Sequence, residues 1–214
     1  FDVSEGIVRS TGGELLEQYP YLAIHGVIGD FQAHLSAIPV SSGRRLVLFL
    51  GGTIGNLDQA ARTEFLRDVA QLLAPDDRLL IGMDLIKETG VIEAAYDDSA
   101  GVTAAFNRNI LRAVNRGLGA DFQPEEYEHV SFFNLARSRI EMHLKPLREQ
   151  HAYVTALGLT VHVVPPETIW TESSYKFTPD SVESMLVSAG LHLERLYTHD
   201  VPSEAFALAL AGKT

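Results

Sequence analysis

Two unbroken apolar runs constrain this chain more than any other feature. Arg45-Leu46-Val47-Leu48-Phe49-Leu50 ends at Gly51-Gly52, and Arg78-Leu79-Leu80-Ile81-Gly82-Met83-Asp84 ends at an acid. Neither alternates polar with apolar residues, so both read as parallel strands covered on both faces. Between them Asp58 can cap a helix that carries Phe65, Leu66, Val69, Leu72 and Leu73 on one face and is stopped by Pro75. A weaker third strand is expected over 24–30. Further on, Thr178-Pro179 opens a helix with Val182, Met185, Leu186 and Ala189 as its apolar stripe, and Gly190 ends it. Strand alternating with helix predicts an α/β, doubly wound sheet. Segments 192–198 and 205–210 are close enough to close it as an antiparallel hairpin.

Residues 87–176 break the alternation. A long helix is expected over 91–118, carrying Tyr96, Phe106 and Asn109. Phe132-Phe133, Arg139 to Leu144 and Val161 to Val164 then read as three strands of one separate small sheet. The expected division is a core over 1–86 and 177–214, with 87–176 inserted as an α+β lobe over the sheet edge.

Composition removes several function classes. With 46% hydrophobic and 21% charged residues, a 214-residue chain can bury a core, which excludes disorder for most of it. A net charge of −11 argues against nucleic acid as partner, because phosphates need a basic face. The absence of Cys excludes disulfides, Cys-ligated zinc and a Cys nucleophile. No apolar run is long enough for a membrane span, about 20 residues, and no signal peptide opens the chain. The expected location is the cytoplasm, with no membrane partner. The eight His residues show no H-E-x-x-H and no close pairing, so no metal is expected. Without a G-x-S-x-G setting for Ser, a hydrolase is not expected.

Ligands of open α/β sheets sit beyond the carboxyl ends of the strands. Asp2 reads as an acid at such an end, suited to ribose hydroxyls, or equally as a helix cap with Ser4 as its rival. In Gly29-Asp30-Phe31 the carboxylate can accept from an exocyclic amine and the ring can lie on a purine; the plain alternative is a turn with a core Phe. Gly51-Gly52-Thr53-Ile54-Gly55-Asn56 follows a strand and precedes a helix, and its glycines permit close backbone approach to a ligand. Its spacing is neither G-x-G-x-x-G nor Walker A, so nicotinamide and nucleoside triphosphates are not expected. On a strand, Glu172 and Ser174 would share one face and could clamp the two nitrogens of an imidazole; otherwise they form a solvated face. Tyr127, Tyr153 and Trp170 read as packing residues.

A parallel sheet closed by one antiparallel strand is a topology shared with class I methyltransferases. Phe1-Asp2-Val3-Ser4-Glu5, Gly29-Asp30-Phe31, Leu50 to Asn56, Gly82 to Lys87, Ala95-Tyr96-Asp97-Asp98, Ala105 to Asn109, Ile140-Glu141-Met142 and Thr171 to Phe177 occur in order along the chain. Together they resemble the histidine-specific, S-adenosylmethionine-dependent Nα-methyltransferases of ergothioneine biosynthesis. The resemblance implies a Rossmann-like class I methyltransferase core with an inserted substrate lobe. It implies that Asp2 holds the cofactor ribose, that Asp30 and Phe31 hold the adenine, and that Gly51 lines the cofactor loop. Asn56 and Tyr96 would bind the amino and carboxylate end of L-histidine, with Gly51 and Thr53 beside them. Glu172 and Ser174 would read the imidazole, with Met142 packing next to it. The expected product is trimethylated histidine, hercynine, with S-adenosylhomocysteine released. The family's glycine-rich cofactor loop and N-terminal aromatic arm have no counterpart in this sequence, so the chain is expected to be a truncated piece. On its own it would bind cofactor weakly and be able to self-associate, whereas the longer protein would be a monomer. Two other outcomes are a same-family enzyme for another aromatic amine and a non-catalytic fragment.

Overall fold

The structure, a computed structural model, describes residues 1–39, 43–198 and 205–214. Its main sheet joins β1 (Leu46–Phe49), β2 (Arg78–Asp84), β8 (Leu191–Thr198) and β9 (Phe206–Lys213) in the order β1-β2-β9-β8. β1 and β2 run parallel, and β9 is antiparallel to both β2 and β8. The closing hairpin is therefore as expected; its turn lies outside the described residues. α2 (Gln59–Leu72) links β1 to β2, and the Asp58 carboxylate accepts the Ala61 N–H at 2.9 Å to start it. The Thr178 capping box opens α5 (Pro179–Ser188). Phe65, Leu66 and Val69 of α2 and Val182 and Leu186 of α5 are buried against Leu79, Ile81 and Met83 of β2. Their register partners on β9 are Ala211, Ala209 and Ala207. Small side chains there let both helices lie close to the sheet.

Several expectations need correction. Among the described residues, β1 is not covered on both faces: Leu46 and Leu48 remain 54% and 56% exposed. Segment 24–30 forms no strand of that sheet. Its β contact is one parallel bridge, Asp2 to Ile28, made by Asp2 N–H to the Val27 carbonyl and Gly29 N–H to the Asp2 carbonyl. α1 (Glu5–Gln18) follows, capped by Ser4, while the Asp2 carboxylate accepts the Ser4 N–H. The long helix is two helices, α3 (Thr89–Tyr96) and α4 (Val102–Leu118). Asp98 causes the break: its carboxylate accepts the N–H groups of Val102 and Thr103, and Gly101 turns left-handed before them.

The second sheet is antiparallel, in the order β3 (Tyr127–Asn134), β4 (Arg139–Pro146), β7 (Ile169–Tyr175). Residues 161–164 do not join it. They belong with β6 (Leu159–Val163), which pairs β5 (Gln150–Val154) in a hairpin of its own. That register also overturns the reading that no His residues pair. His151 lies opposite His162 with rings stacked at 4.2 Å, and both Nε2 atoms point at Glu149 Oε1, at 3.2 and 2.7 Å. The three side chains are exposed, and the shared carboxylate accounts for the pairing. Among the described residues no helix is long and apolar enough to cross a membrane.

Hydrogen bonds from the Thr103 N–H and hydroxyl and from the Val102 N–H hold the Asp98 carboxyl down at about 2. A depressed folded pKa contributes stability that is present above the ordinary carboxylate value and lost as pH falls through the folded value. NMR titration should find Asp98 the most acidic carboxyl in this segment. Asp98→Ala should lower the melting temperature at pH 7, and the loss should shrink as pH falls toward about 2; a loss that does not change with pH would exclude the capping role.

Candidate functional site

After β1 the chain turns through two left-handed glycines, Gly51 (φ 81°) and Gly52 (φ 71°), a conformation that residues with a Cβ adopt at a cost. The 3-10 turn Thr53–Asn56 follows. Gly55 lies so close to β7 that a Cβ would sit 2.8 Å from the Tyr175 carbonyl oxygen. That contact carries Asn56 into the same cavity as the β7 side chains.

On β7, Glu172 and Ser174 are two apart and share a face, as expected. Their cross-strand partners on β4 are Met142 and Ile140, both buried. Tyr96 reaches the cavity from the end of α3. Its backbone carbonyl accepts from His129 Nε2 at 2.8 Å, and His129 Nδ1 accepts from the buried Asn107 amide at 2.9 Å. Asn107 thus holds the His129 proton on Nε2, and His129 holds the helix end that carries Tyr96.

These elements enclose a cavity of about 430 Å³. Gly51, Thr53, Asn56, Tyr96, Glu172 and Ser174 all line it, together with Gly52, Asp84, Lys176 and Phe206. Asp84, Lys176 and Phe206 were not expected there. Asp84 carried the same signal as Asp2 and Asp30, an acid at a strand's carboxyl end; Lys176 and Phe206 carried none. The Lys176 ammonium, with its side chain 1% exposed, sits 2.9 Å from Asp84 Oδ2, 2.9 Å from Tyr96 Oη and 3.0 Å from Ser174 Oγ. Lys87 takes the other Asp84 oxygen at 2.7 Å. Burial pushes the Glu172 carboxyl above the ordinary range, and the Lys176 charge opposes that shift. Among the described residues, neither the Glu172 carboxylate nor the Asn56 amide has a hydrogen-bond partner in the protein. The cavity therefore presents a half-buried anion, two hydroxyls and an amide to one small volume.

Met142 packs opposite Glu172 without lining the cavity, and Asp2, Asp30 and Phe31 stand outside the lining. Phe31 packs edge-on against Phe49 and Phe65, at 5.2 and 5.4 Å between centroids. A larger hollow of about 690 Å³ includes Arg62, Arg139 and Tyr175 in its lining. Its guanidinium on Arg139 is already engaged by Glu141 and Tyr175.

The sequence profile of a family described as histidine-specific, SAM-dependent methyltransferases matches residues 1–213. The chain belongs to that family. It is 49% identical over 211 residues to the histidine N-alpha-methyltransferase of Mycolicibacterium smegmatis, covering 99% of this chain and 65% of that one. It is 44% identical over 213 residues to the enzyme of the same name from Mycobacterium tuberculosis, covering 100% of this chain and again 65% of the relative. The chain thus spans just under two thirds of the length of these family members. Among solved structures it is similar to the CcbJ methyltransferase of Streptomyces caelestis, with a TM-score of 0.52 and 12% identity over 99% of this chain and 72% of that one. That likeness is one of fold, the Rossmann-like α/β fold of class I methyltransferases.

The residues present fit part of a family cofactor site. The parallel bridge between Asp2 and Ile28 sets Asp2 beside the segment that ends at Asp30, so two acids close two adjacent extended segments.

Asn107→Ala would strip the His129 ring nitrogen of its donor inside the lobe. The expected loss is about 1–3 kcal/mol of stability, or roughly 2–4 °C of melting temperature per kcal/mol in a chain of this size. A change below about 0.5 kcal/mol in denaturant unfolding would remove Asn107 from the support of Tyr96.

Proposed function

We propose that the complete protein transfers methyl groups from S-adenosylmethionine to the α-amino nitrogen of L-histidine. Up to three transfers would give hercynine, as in ergothioneine biosynthesis. The observation that carries this reading is the pair on β7. Glu172 offers an acceptor and Ser174 a hydroxyl, on one face, in a cavity shared with Asn56 and Tyr96. An imidazole presents one N–H and one lone pair, and the pair matches both. The reading gives residues 87–176 the role of substrate lobe, with 1–86 and 177–214 as the core.

The cofactor would be held by Asp2 at its ribose, by Asp30 and Phe31 at its adenine, and along the Gly51 loop. Bound there, it supplies a methyl carbon activated by a sulfonium for displacement by a neutral amine. The work of this chain's own residues is positioning in a site shielded from water, which can lower a barrier by several kcal/mol. Asn56 can accept from the amine's N–H and leave the nitrogen lone pair free to attack. Tyr96 can donate to the substrate carboxylate. Met142 packs beside Glu172 as its cross-strand partner.

Specificity then comes from buried groups left unpaired by the wrong side chain. An indole presents one donor and no acceptor, so it satisfies Glu172 and leaves the Ser174 hydroxyl without a partner.

The test is a mass-spectrometric assay of the complete protein with S-adenosylmethionine and an equimolar mixture of amino acids. Histidine alone should gain mass, in steps of one to three methyls. Glu172→Ala should raise KM for histidine by about tenfold to a hundredfold, the scale of one unpaired buried hydrogen bond, about 1–3 kcal/mol. Methylation of tryptophan in place of histidine, or an unchanged KM, would refute the imidazole clamp.

A further inference from the structure

Lys176 is the buried cation of the cavity, and three oxygens surround it: Asp84 Oδ2, Tyr96 Oη and Ser174 Oγ. An ammonium has three protons and no acceptor. All three are therefore donated, and both hydroxyl oxygens are obliged to accept from it. The hydroxyls' own protons must go elsewhere. Among the described residues neither Tyr96 O–H nor Ser174 O–H has a protein acceptor, and both line the cavity.

We propose that Lys176 is a positioning residue that sets the hydrogen-bond polarity of Ser174 and Tyr96, so that the site takes the neutral imidazole ring and rejects imidazolium. The proposal rests on the reading that this cavity holds the histidine side chain. With its oxygen engaged by Lys176, Ser174 presents a proton to the ligand, and Glu172 presents only acceptors. Neutral imidazole answers with one lone pair and one N–H. Imidazolium brings two N–H groups, so one of them faces the Ser174 proton.

The charges act in the same direction. Asp84 neutralises only one of its two lysine neighbours, Lys176 and Lys87, so that trio carries a net positive charge next to Ser174. The titratable groups lining the cavity are Asp84, Tyr96, Glu172 and Lys176. From β4 the residues opposite Glu172 and Ser174 are the apolar Met142 and Ile140. Glu172 is the one lining group that favours a cation, and burial pushes its carboxyl above the ordinary range. The test must separate its protonation from that of the ligand.

The experiment is calorimetric titration of the complete protein, with S-adenosylhomocysteine present, at about pH 5 and pH 7. Two ligands are compared: L-histidine, and the 1,2,4-triazolyl analogue of histidine, whose ring stays neutral over this range. Protonation of Glu172 would weaken both ligands alike, and protonation of the imidazole weakens only histidine. For a ring with a pKa of about 6.5, binding of the neutral form alone predicts a histidine Kd about 25-fold weaker at pH 5 than at pH 7, beyond any change seen for the triazole. Lys176→Met should bring the two ligands' pH ratios to within about threefold of each other, and Lys176→Arg should restore the wild-type difference. A purely structural role would weaken both ligands equally at both pH values.

Equal pH ratios for the two ligands in the wild-type protein would overturn the proposal without any variant. A wild-type difference that persists in Lys176→Met would overturn it too. If the wild type binds neither ligand at any pH, the histidine reading itself fails.

Discussion

The backbone of Phe177 runs beside the end of β2. Its N–H donates to the Asp84 carbonyl at 3.0 Å, and its carbonyl accepts from Ile86 N–H at 2.8 Å. This short parallel stitch joins the end of β7, in the second sheet, to the carboxyl end of β2, in the main sheet. The β7 side of the site follows from it. Lys176, one residue earlier, is delivered to the Asp84 carboxylate, and Ser174 and Glu172 follow at two-residue intervals on the same face. The residues in the other phase, Tyr175 and Ser173, are turned away from the cavity, and Arg139 and Arg62 meet Tyr175 there. A slip of one residue at the stitch would exchange the two faces and put an arginine-stacked Tyr where the hydroxyl now stands.

Gly55 makes the second contact that the stitch requires. A loop carrying a side chain at that position would have to move off β7, since the Tyr175 carbonyl oxygen occupies the place of the Cβ. The loop follows a strand of the main sheet, and β7 belongs to the second sheet. Their close approach makes both sheets walls of one cavity. Tyr96 is tied in by an independent route, through Asn107 on α4 and His129 on β3. The site is thus pinned from both sides by hydrogen bonds that no ligand supplies.

The parts that were legible in the sequence are those decided within a few residues. The apolar runs of β1 and β2, the Asp58 and Thr178 caps, and the two-residue spacing of Glu172 and Ser174 all depend on local chemistry. What misled was long-range or competing. The apolar period of 91–118 continues through a point where Asp98 prefers to bond to its own following N–H groups, and the helix breaks there. Val161 to Val164 look like any other strand, and only the fold decides that they pair with β5 while β7 takes the place beside β4. His151 and His162 are eleven positions apart and become neighbours through that same pairing. Lys176 reads as an ordinary surface lysine until the stitch at Phe177 buries it. The candidate site residues came mainly from resemblance to a family; six of them line one cavity, and Met142, Asp2, Asp30 and Phe31 stand outside its lining.

The cavity carries more unspent hydrogen-bonding capacity than a core of its size would tolerate. Among the described residues, Glu172 is half-buried without a donor and the hydroxyl protons of Tyr96 and Ser174 lack acceptors, while Asn56 is exposed and its amide has no partner in the protein. Leaving such groups unpaired costs stability, and a fold under no other demand would fill the space with apolar side chains. Lys176 limits that cost by satisfying the oxygens of Tyr96 and Ser174, but it does so in a way that commits their protons to the ligand. The same arrangement therefore sets both stability and selectivity. A ligand is favoured to the extent that it returns one acceptor to Ser174, one acceptor to Tyr96 and one donor to Glu172. Any molecule that misses one of the three inherits the penalty that the protein bears without a ligand.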